Sequence, residues 1–306
     1  MTTPIVDSTD SAPAASAASA PTVIHPTAVV DPAAQLGNGV IVGPYSVIGP
    51  DVSVGDGTRL ASSVILEPGT AIGQNCHIGV GAVIGGLPQD LNFKGEPSGV
   101  LIGDNVTVRE YVTINRATGE GQLTRVDDGA FLMAYAHLAH NCHVGREAIL
   151  ANAAQLGGYV TVGEYAFVSA TTVVHQFVRI GRLSMVGGAS GTRQDVPPFA
   201  MTDGRPVTII GINKVGLRRR GFSAQARQSV RRAYHWLWYS PLNISDAIAR
   251  LREEMPGEPL VEELIEFVQT SKRGIHRPVG GPPVQVAENW DDAVCETGAL
   301  APSAQG

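Results

Sequence analysis

The stretch LGNGVIVGPYSVIG, residues 36–49, sets the pattern for most of this 306-residue chain. An aliphatic residue recurs in it every six positions, at Leu36, Val42 and Ile48, and a glycine follows each one. The full aliphatic series is Ile24, Val30, Leu36, Val42, Ile48, Val54, Leu60, Leu66, Ile72, Ile78, Ile84, Ile102, Val108, Ile114, Val126, Leu132, Leu138, Val144, Leu150, Leu156, Val162, Val168, Val174, Ile180 and Val186. A second series, two residues earlier in each repeat, is small or β-branched, as at Ala28 and Val40.

A period of six matches neither an α-helix, with 3.6 residues per turn, nor a plain strand, with a period of two. It matches a short strand plus a tight turn, which is typical of a parallel β-helix. Three such units form one triangular coil of about eighteen residues, with aliphatic side chains along the axis. We expect glycine or asparagine at corners that need positive φ. An ordinary β-sandwich would not keep one phase over so long a stretch, so the predicted fold class is an all-β solenoid.

The aliphatic series is interrupted twice. Charged residues occupy its positions at Asp90 and Glu96, which predicts a loop over residues 86–99 that leaves one coil. A second loop is predicted over residues 117–124. Loops on a rigid scaffold often carry binding residues, although charged loops are also common as plain solvated surface.

The chain divides into four predicted regions. The aliphatic series fails at Thr192, and Pro197-Pro198 closes the prism, after which the hydrophobic period becomes helical. Residues 1–22 are rich in Ala, Ser and Pro and lack a basic start, so they are predicted to form a disordered arm and not a signal peptide. The regions are a disordered arm over 1–22, a parallel β-helix over 23–200, a helical C-terminal domain over 201–276 and a disordered tail over 277–306.

Capping residues predict three helices in the C-terminal domain. The predicted helices start after Ser223, after Ser245 and at Pro259, and end near Tyr239, Met255 and Thr270. Their packing face is predicted to consist of Trp236, Leu237, Ile248, Leu251, Leu264 and Phe267.

The cysteine positions and the lengths of the apolar segments indicate the cellular compartment. Cys76 and Cys142 lie on the small inward series and Cys295 in a polar tail, which indicates buried or free thiols and no disulfide framework. No segment is long enough to span a membrane. We therefore expect a cytoplasmic protein without stable membrane insertion.

Charge is distributed unevenly. The chain has a formal net charge of −6, yet residues 204–232 contain eight basic and no acidic residues. A basic patch on an acidic protein can bind an acidic protein, a nucleotide diphosphate or nucleic acid, or it can be solvated surface. Few aromatic residues accompany it, so nucleic acid is not the expected partner.

Histidines occur at His137, His140 and His143, a spacing that resembles a metal site. Residues six apart fall on different faces of a triangular prism, so no metal site is predicted within one chain, although ligands shared across a subunit interface stay possible. His140 should lie on the prism flank, with Gly158 one coil later and about 4.8 Å away. A base beside a free amide N–H is the pair that acyl transfer requires.

Four motifs make the chain resemble a known family. They are HLAHNC at 137–142, QDLNFKGEP at 89–97, HQF at 175–177 and GLRRRGF at 216–222. In this order, over about residues 23–276, they are similar to the acyl-[acyl-carrier-protein]–UDP-N-acetylglucosamine O-acyltransferases of lipid A synthesis.

The resemblance implies a left-handed β-helix and a homotrimer with active sites in the clefts between subunits. It implies transfer of a 3-hydroxyacyl group from acyl carrier protein to the 3-hydroxyl of UDP-N-acetylglucosamine, with no cofactor and no metal. It further implies that His140 is the base and Gly158 the oxyanion donor. The implied substrate-binding residues are Asp90, His137, Asn141, Tyr159, His175, Gln176, Gly188 and Arg219. Gly188 corresponds to a position where a small residue leaves the acyl groove long.

The chain departs from the family pattern at four positions. Asn92 stands where lysine is usual, Asn115 and Tyr159 where histidine is common, and Asn141 where aspartate often follows the catalytic histidine. Asn141 accepts a hydrogen bond but carries no charge. The alternative functions are the related sugar-nucleotide N-acyltransferase, an interface-zinc hydratase of the carbonic anhydrase type and a non-catalytic β-helical module.

Overall fold

The computed structural model describes residues 21–278 and consists of a long three-sided prism, a strand pair and a group of helices. The prism is a left-handed parallel β-helix, so the predicted solenoid with a helical C-terminal part is confirmed. The predicted disordered segments 1–22 and 277–306 lie outside the described residues except for residues 21–22 and 277–278, and Cys295 also lies outside them.

Three parallel sheets form the sides of the prism. Sheet A contains β1 (Val23–Ile24), β4 (Ile41–Val42), β7 (Arg59–Leu60), β10 (His77–Ile78), β13 (Thr107–Val108), β16 (Phe131–Leu132), β19 (Ile149–Leu150), β22 (Phe167–Val168), β25 (Met185–Val186), β27 (Ala200–Asp203) and β28 (Thr208–Ile212). Sheet B contains β2 (Val29–Val30), β5 (Val47–Ile48), β8 (Ile65–Leu66), β11 (Val83–Gly86), β14 (Thr113–Asn115), β17 (His137–Leu138), β20 (Gln155–Leu156), β23 (Val173–Val174) and β26 (Gly191–Thr192). Sheet C contains β3 (Gln35–Leu36), β6 (Ser53–Val54), β9 (Thr70–Ile72), β12 (Gly99–Ile102), β15 (Leu123–Val126), β18 (His143–Val144), β21 (Thr161–Val162) and β24 (Arg179–Ile180).

The aliphatic series fills the axis of the prism. Leu138 pairs with Leu156, and Leu156 with Val174, so equivalent residues are eighteen positions apart and lie on adjacent coils. All three side chains are buried, and burying one such side chain stabilises the fold by about 1.5–3 kcal/mol. The two predicted loops lengthen two coils but do not shift the inward positions of the aliphatic series. For example, Ile114 still pairs with Leu138, although the second loop lies between them.

The prediction that glycine or asparagine occupies the corners with positive φ was partly wrong. The glycine that follows many of the inward aliphatic residues is needed for close packing: a Cβ on Gly43 would lie 2.6 Å from the backbone of Ala61 on the next coil. Positive φ falls two residues later, where Tyr45 has φ 59° and Asn75 has φ 53°. Side chains of many kinds, aromatic ones included, therefore project from the corners.

The aliphatic series ends before the prism does, although the last strand lies within the predicted β-helix over 23–200. Thr192 lies in β26 and pairs with Val174, although it breaks the aliphatic series. Its hydroxyl is buried and contacts His276 Nε2 at 2.6 Å, which satisfies the polar group. The antiparallel pair β27–β28 then closes this end of sheet A and was not predicted.

The helices are α1 (Lys214–Arg219), α2 (Ala224–Tyr234), a π-helix (His235–Tyr239), α3 (Ile244–Glu254) and α4 (Pro259–Gln269). Helix α1 and the π-helical continuation of α2 were not predicted. Of the predicted packing residues, Leu237, Ile248, Leu251 and Leu264 are buried, whereas Trp236 and Phe267 are half-buried.

The capping predictions had mixed outcomes. Ser223 caps α2 and accepts a hydrogen bond from the Ala226 N–H, as predicted. The prediction for α3 was wrong, because Asn243 accepts the bond from the Asp246 N–H at 2.9 Å. Asparagine and serine are comparable caps, so composition did not distinguish the two sites.

Candidate active site

The candidate site lies along the edge between sheets B and C. We call it the His140 corner and define it as residues 139–142, 157–160 and 175–178, which are three stacked turns. Successive turns are linked by backbone hydrogen bonds, in which the N–H of Tyr159 donates to His140 O and the N–H of Phe177 donates to Gly158 O. The corner therefore places residues eighteen apart directly above one another.

His140 is largely buried, and its orientation is fixed by Asn141. The ring Nδ1 lies 2.9 Å from Asn141 Oδ1, which the positive φ of Asn141 turns back toward the histidine. The amide of Asn141 is itself held by the second loop, since the Thr118 N–H donates to Oδ1 and Nδ2 donates to Thr118 O. Because Oδ1 only accepts, Nδ1 carries the proton and Nε2 has a free lone pair, as a general base requires.

The negative charge that Asn141 lacks comes from the first loop. Asp90 Oδ2 lies 3.9 Å from His140 Nδ1, and both side chains are mostly buried. The pKa of the Asp90 carboxyl is lowered, first by the hydrogen bond from the backbone N–H of Asn92. Asn92 Nδ2 also donates to this carboxylate at 3.1 Å. Asn92 is thus the residue that positions Asp90.

Gly158 leaves room for the imidazole because it has no side chain. A Cβ there would lie 2.5 Å from His140 Nε2 and 2.6 Å from Cε1. Within the described residues, the Gly158 N–H has no hydrogen-bond acceptor. The free lone pair and a free amide donor are therefore adjacent.

Two aromatic residues form a wall above this pair. Tyr159 contacts the His140 ring edge-on, with ring centroids 5.3 Å apart, and stacks on Phe177 at 4.8 Å. Both residues have positive φ and partly exposed rings. Their faces offer a rigid apolar surface beside the base.

The other histidines of the motif lie apart from one another. His137 is on the outer face of sheet B, where Nδ1 contacts Thr113 Oγ1 at 2.7 Å and burial lowers its pKa. His143 is on sheet C and contacts Asp127 at 2.7 Å. Within residues 21–278 no group of three potential metal ligands is close enough to hold an ion.

The remaining predicted residues are on different edges of the prism. His175 and Gln176 lie in the third turn of the His140 corner. Gly188 lies at the edge between sheets A and B, and Arg219 is exposed at the end of α1. Its neighbour Arg220 contacts residues at the edge between sheets C and A, namely Glu147, at 2.7 Å, and the ring of Tyr165. A single chain does not bring these three edges together.

Sequence reasoning missed two features of the site. It did not place Asp90 beside His140, because the path of an irregular loop is not periodic. It also missed Arg273, whose Nη2 lies 3.1 Å from His175 Nδ1 although 98 residues separate the two. The SKRG sequence at 271–274 marked the segment but not its contact.

A base beside an amide donor on the edge of a left-handed β-helix defines a hexapeptide-repeat acyltransferase, and comparisons with known proteins agree. A family model described as UDP-N-acetylglucosamine O-acyltransferase, domain 2, matches residues 195–276, and one for the GMPPB C-terminal domain matches residues 21–119. An acyl-[acyl-carrier-protein]–UDP-N-acetylglucosamine O-acyltransferase of Thermodesulfovibrio yellowstonii is 46% identical, over 83% of this chain and 99% of the relative. One from Burkholderia orbicola is 48% identical, over 84% of this chain and all of the relative.

Solved structures give the same result. A UDP-N-acetylglucosamine acyltransferase from Bacteroides fragilis superimposes with a TM-score of 0.81 at 38% identity, covering 83% of this chain and all of the other. The corresponding Acinetobacter baumannii structure has the same TM-score and coverage at 39% identity. The chain belongs to the acyl-[acyl-carrier-protein]–UDP-N-acetylglucosamine O-acyltransferase family.

Proposed function

We propose that this protein transfers a 3-hydroxyacyl group from acyl carrier protein to the 3-hydroxyl of UDP-N-acetylglucosamine, the first step of lipid A synthesis. The names of the relatives support the two substrates. The observation that carries the proposal is the free Nε2 of His140 against the unpaired N–H of Gly158.

The reaction follows from this geometry. His140 Nε2 takes the proton of the sugar hydroxyl, whose oxygen attacks the thioester carbonyl. The Gly158 N–H stabilises the oxyanion of the tetrahedral intermediate. As the C–S bond breaks, the imidazolium returns its proton to the departing thiol, so an ester and a free thiol are formed. The reaction needs no cofactor, metal or covalent enzyme intermediate.

Asp90 stabilises the imidazolium in this scheme. A carboxylate at 3.9 Å from Nδ1 attracts the positive charge that appears on the ring during transfer. Asn141 fixes the ring but is neutral, so orientation and charge come from two different residues. We assign substrate contacts to Tyr159, His175 and Gln176, which line the same edge, and to His137 on the outer face of sheet B.

A homotrimer completes the site. The edges that carry His140 and Gly188 are separate in one chain, as is the edge that Arg220, beside Arg219, contacts. A three-fold assembly of prisms places edges of neighbouring subunits against each other. The outer face of sheet B supports such an interface, because Val29, Val47 and Val173 expose 62%, 42% and 50% of their surface in the isolated chain.

The acyl carrier protein is assigned to the basic segment 204–232 of a C-terminal domain over 201–276, which follows a β-helix over 23–200. The arginines of α2 differ in their availability. Arg232 pairs with Glu254 and Arg227 contacts the Phe222 carbonyl, whereas Arg231 is exposed. Arg218 and Arg219 at the end of α1 are also exposed. These free arginines offer screenable attraction to an acidic partner.

The reaction is proposed to occur in the cytoplasm, where both substrates are available. None of the helices within residues 21–278 combines the length and the apolar character needed to cross a bilayer.

The test is an acyl-transfer assay with UDP-N-acetylglucosamine and 3-hydroxyacyl carrier proteins, with products identified by mass. We expect ester formation by the natural protein, a loss of about 10²–10⁴ in rate for His140→Asn, and a loss of about tenfold or more for Asp90→Asn. The matched control is His143→Asn, which removes a histidine of another carboxylate pair on sheet C. Near-normal turnover by folded His140→Asn would refute the mechanism, and an amide product would favour the N-acyltransferase.

A further inference from the structure

Residues 271–276 are bound firmly to the last coil of the prism. The Ser271 hydroxyl donates to Asp195 Oδ2 at 2.8 Å, and the Asp195 N–H donates to Gly274 O at 2.8 Å. The His276 N–H donates to Asp195 O, and its ring contacts Thr192. Asp195 is 1% exposed and also pairs with Arg179. This clamp holds the intervening Arg273 in a fixed position.

Arg273 lies against the His140 corner, beside two stacked residues. Arg193 is one coil above His175, as the pairing of Val174 with Thr192 shows. Arg273 Nη2 lies 3.1 Å from His175 Nδ1 and 3.4 Å from Arg193 O. The guanidinium thus joins the corner that carries His140, two to three turns further along the prism, which is roughly 10–14 Å away.

The polar groups of this cluster are incompletely satisfied. Arg273 Nε is buried and has no hydrogen-bond partner. His175 Nδ1 also faces Gln176 O at 3.2 Å, and it cannot donate to that carbonyl while it accepts from Arg273. One polar group of this pair is therefore without a partner among the described residues in either tautomer.

The cluster also carries uncompensated positive charge. The cluster contains Arg273, its sequence neighbour Lys272, and Arg193, whose carbonyl Arg273 contacts. Among the described residues, no carboxylate lies within 4.0 Å of the charged atoms of these three side chains. Asp195, the acidic residue nearest in sequence to Arg193, already pairs with Arg179 and accepts a hydrogen bond from Ser271. An anion at this place would satisfy the guanidinium and let His175 donate to Gln176 O.

We propose that Arg273, with Arg193 and His175, forms a phosphate-binding subsite of the acyltransferase. The inference rests on the proposed function, because both of its substrates carry phosphate: the phosphodiester of the carrier protein's pantetheine arm and the diphosphate of the nucleotide sugar. A planar guanidinium that is fixed by a clamp and has free donors suits phosphate oxygens. Arg273 is a binding residue in this assignment and takes no part in proton transfer.

Calorimetry distinguishes the two phosphates. The probes are 4′-phosphopantetheine against pantetheine, and UDP against uridine, each with the natural protein, Arg273→Gln and Arg273→Lys. We expect the phosphate-bearing member of one pair to bind about 10- to 100-fold more weakly to Arg273→Gln, with partial recovery in Arg273→Lys and no change for its phosphate-free partner. Arg277→Gln is the control, since Arg277 is an exposed arginine of the same segment.

The pair that responds identifies the phosphate that is bound. Equal affinity of the natural protein and Arg273→Gln for all four probes would overturn the proposed subsite. So would the finding that Arg273→Gln only weakens subunit association, since the arginine would then pair with a partner's carboxylate. Phosphate-dependent binding in a protein that transfers no acyl group would instead refute the proposed function and leave the subsite in place.

Discussion

The contact between His140 and Gly158 is tested most directly by Gly158→Ala. The added Cβ would lie 2.5 Å from Nε2, whereas ordinary contacts are 3.4–4 Å, so the ring has to move by about 1 Å. The ring cannot move freely, because Asn141 holds Nδ1 and Tyr159 packs edge-on against the ring. We expect turnover to fall by about 10²-fold from misplacement of the base and stability to fall by about 1–3 kcal/mol.

Two alanine substitutions separate these effects. Gly163→Ala places a Cβ 2.6 Å from the Arg182 backbone nitrogen, far from His140, and should reduce stability without specific loss of turnover. Gly211→Ala meets nothing within 4 Å and should be neutral. Steady-state acyl transfer and thermal unfolding are measured for all three variants. Activity of Gly158→Ala that falls only as far as that of Gly163→Ala would show that the ring position does not matter.

Two further predictions concern chain length and pH. Gly188→Met should shift the donor preference to shorter acyl chains, because the new Cβ fits at ordinary van der Waals contact, 3.6 Å from Ala170 O, and each excluded methylene costs about 0.8 kcal/mol. Competition between donors of different length measures this shift, and an unchanged profile would rule Gly188 out. Burial lowers the pKa of His276 from its ordinary 6.5, so the folded protein binds fewer protons than the unfolded chain there. Its contribution to stability should be complete above that pH and be lost as pH falls toward the folded pKa. Denaturant unfolding of His276→Gln should therefore depend less on acid than that of the natural protein, and parallel curves would contradict this reasoning.

The periodic part of the site was predictable from sequence. Once the coil length is eighteen residues, Gly158 must lie over His140, and His137 and His143 must diverge, because parallel pairing fixes the register. The family resemblance then assigned roles that spacing alone left open.

The aperiodic part was not predictable in this way. The approach of Asp90 to His140 depends on the path of the first loop and on hydrogen bonds that the backbone and side chain of Asn92 donate to the carboxylate. The position of Arg273 depends on a clamp between segments far apart in sequence. Such contacts have no signature in residue spacing, so only the folded arrangement reveals them.

The stacking of coils also makes this scaffold modular. Each coil contacts only the coils directly below and above it. Because Ile41 pairs with Arg59, removal of residues 41–58 would join Val40 to Arg59 with every inward side chain still inward. Removing one residue more or fewer would break the phase of the axis. Gain or loss of whole coils during evolution can thus change the length of the prism in steps of about 4.8 Å. The geometry of the residues around His140 would stay the same.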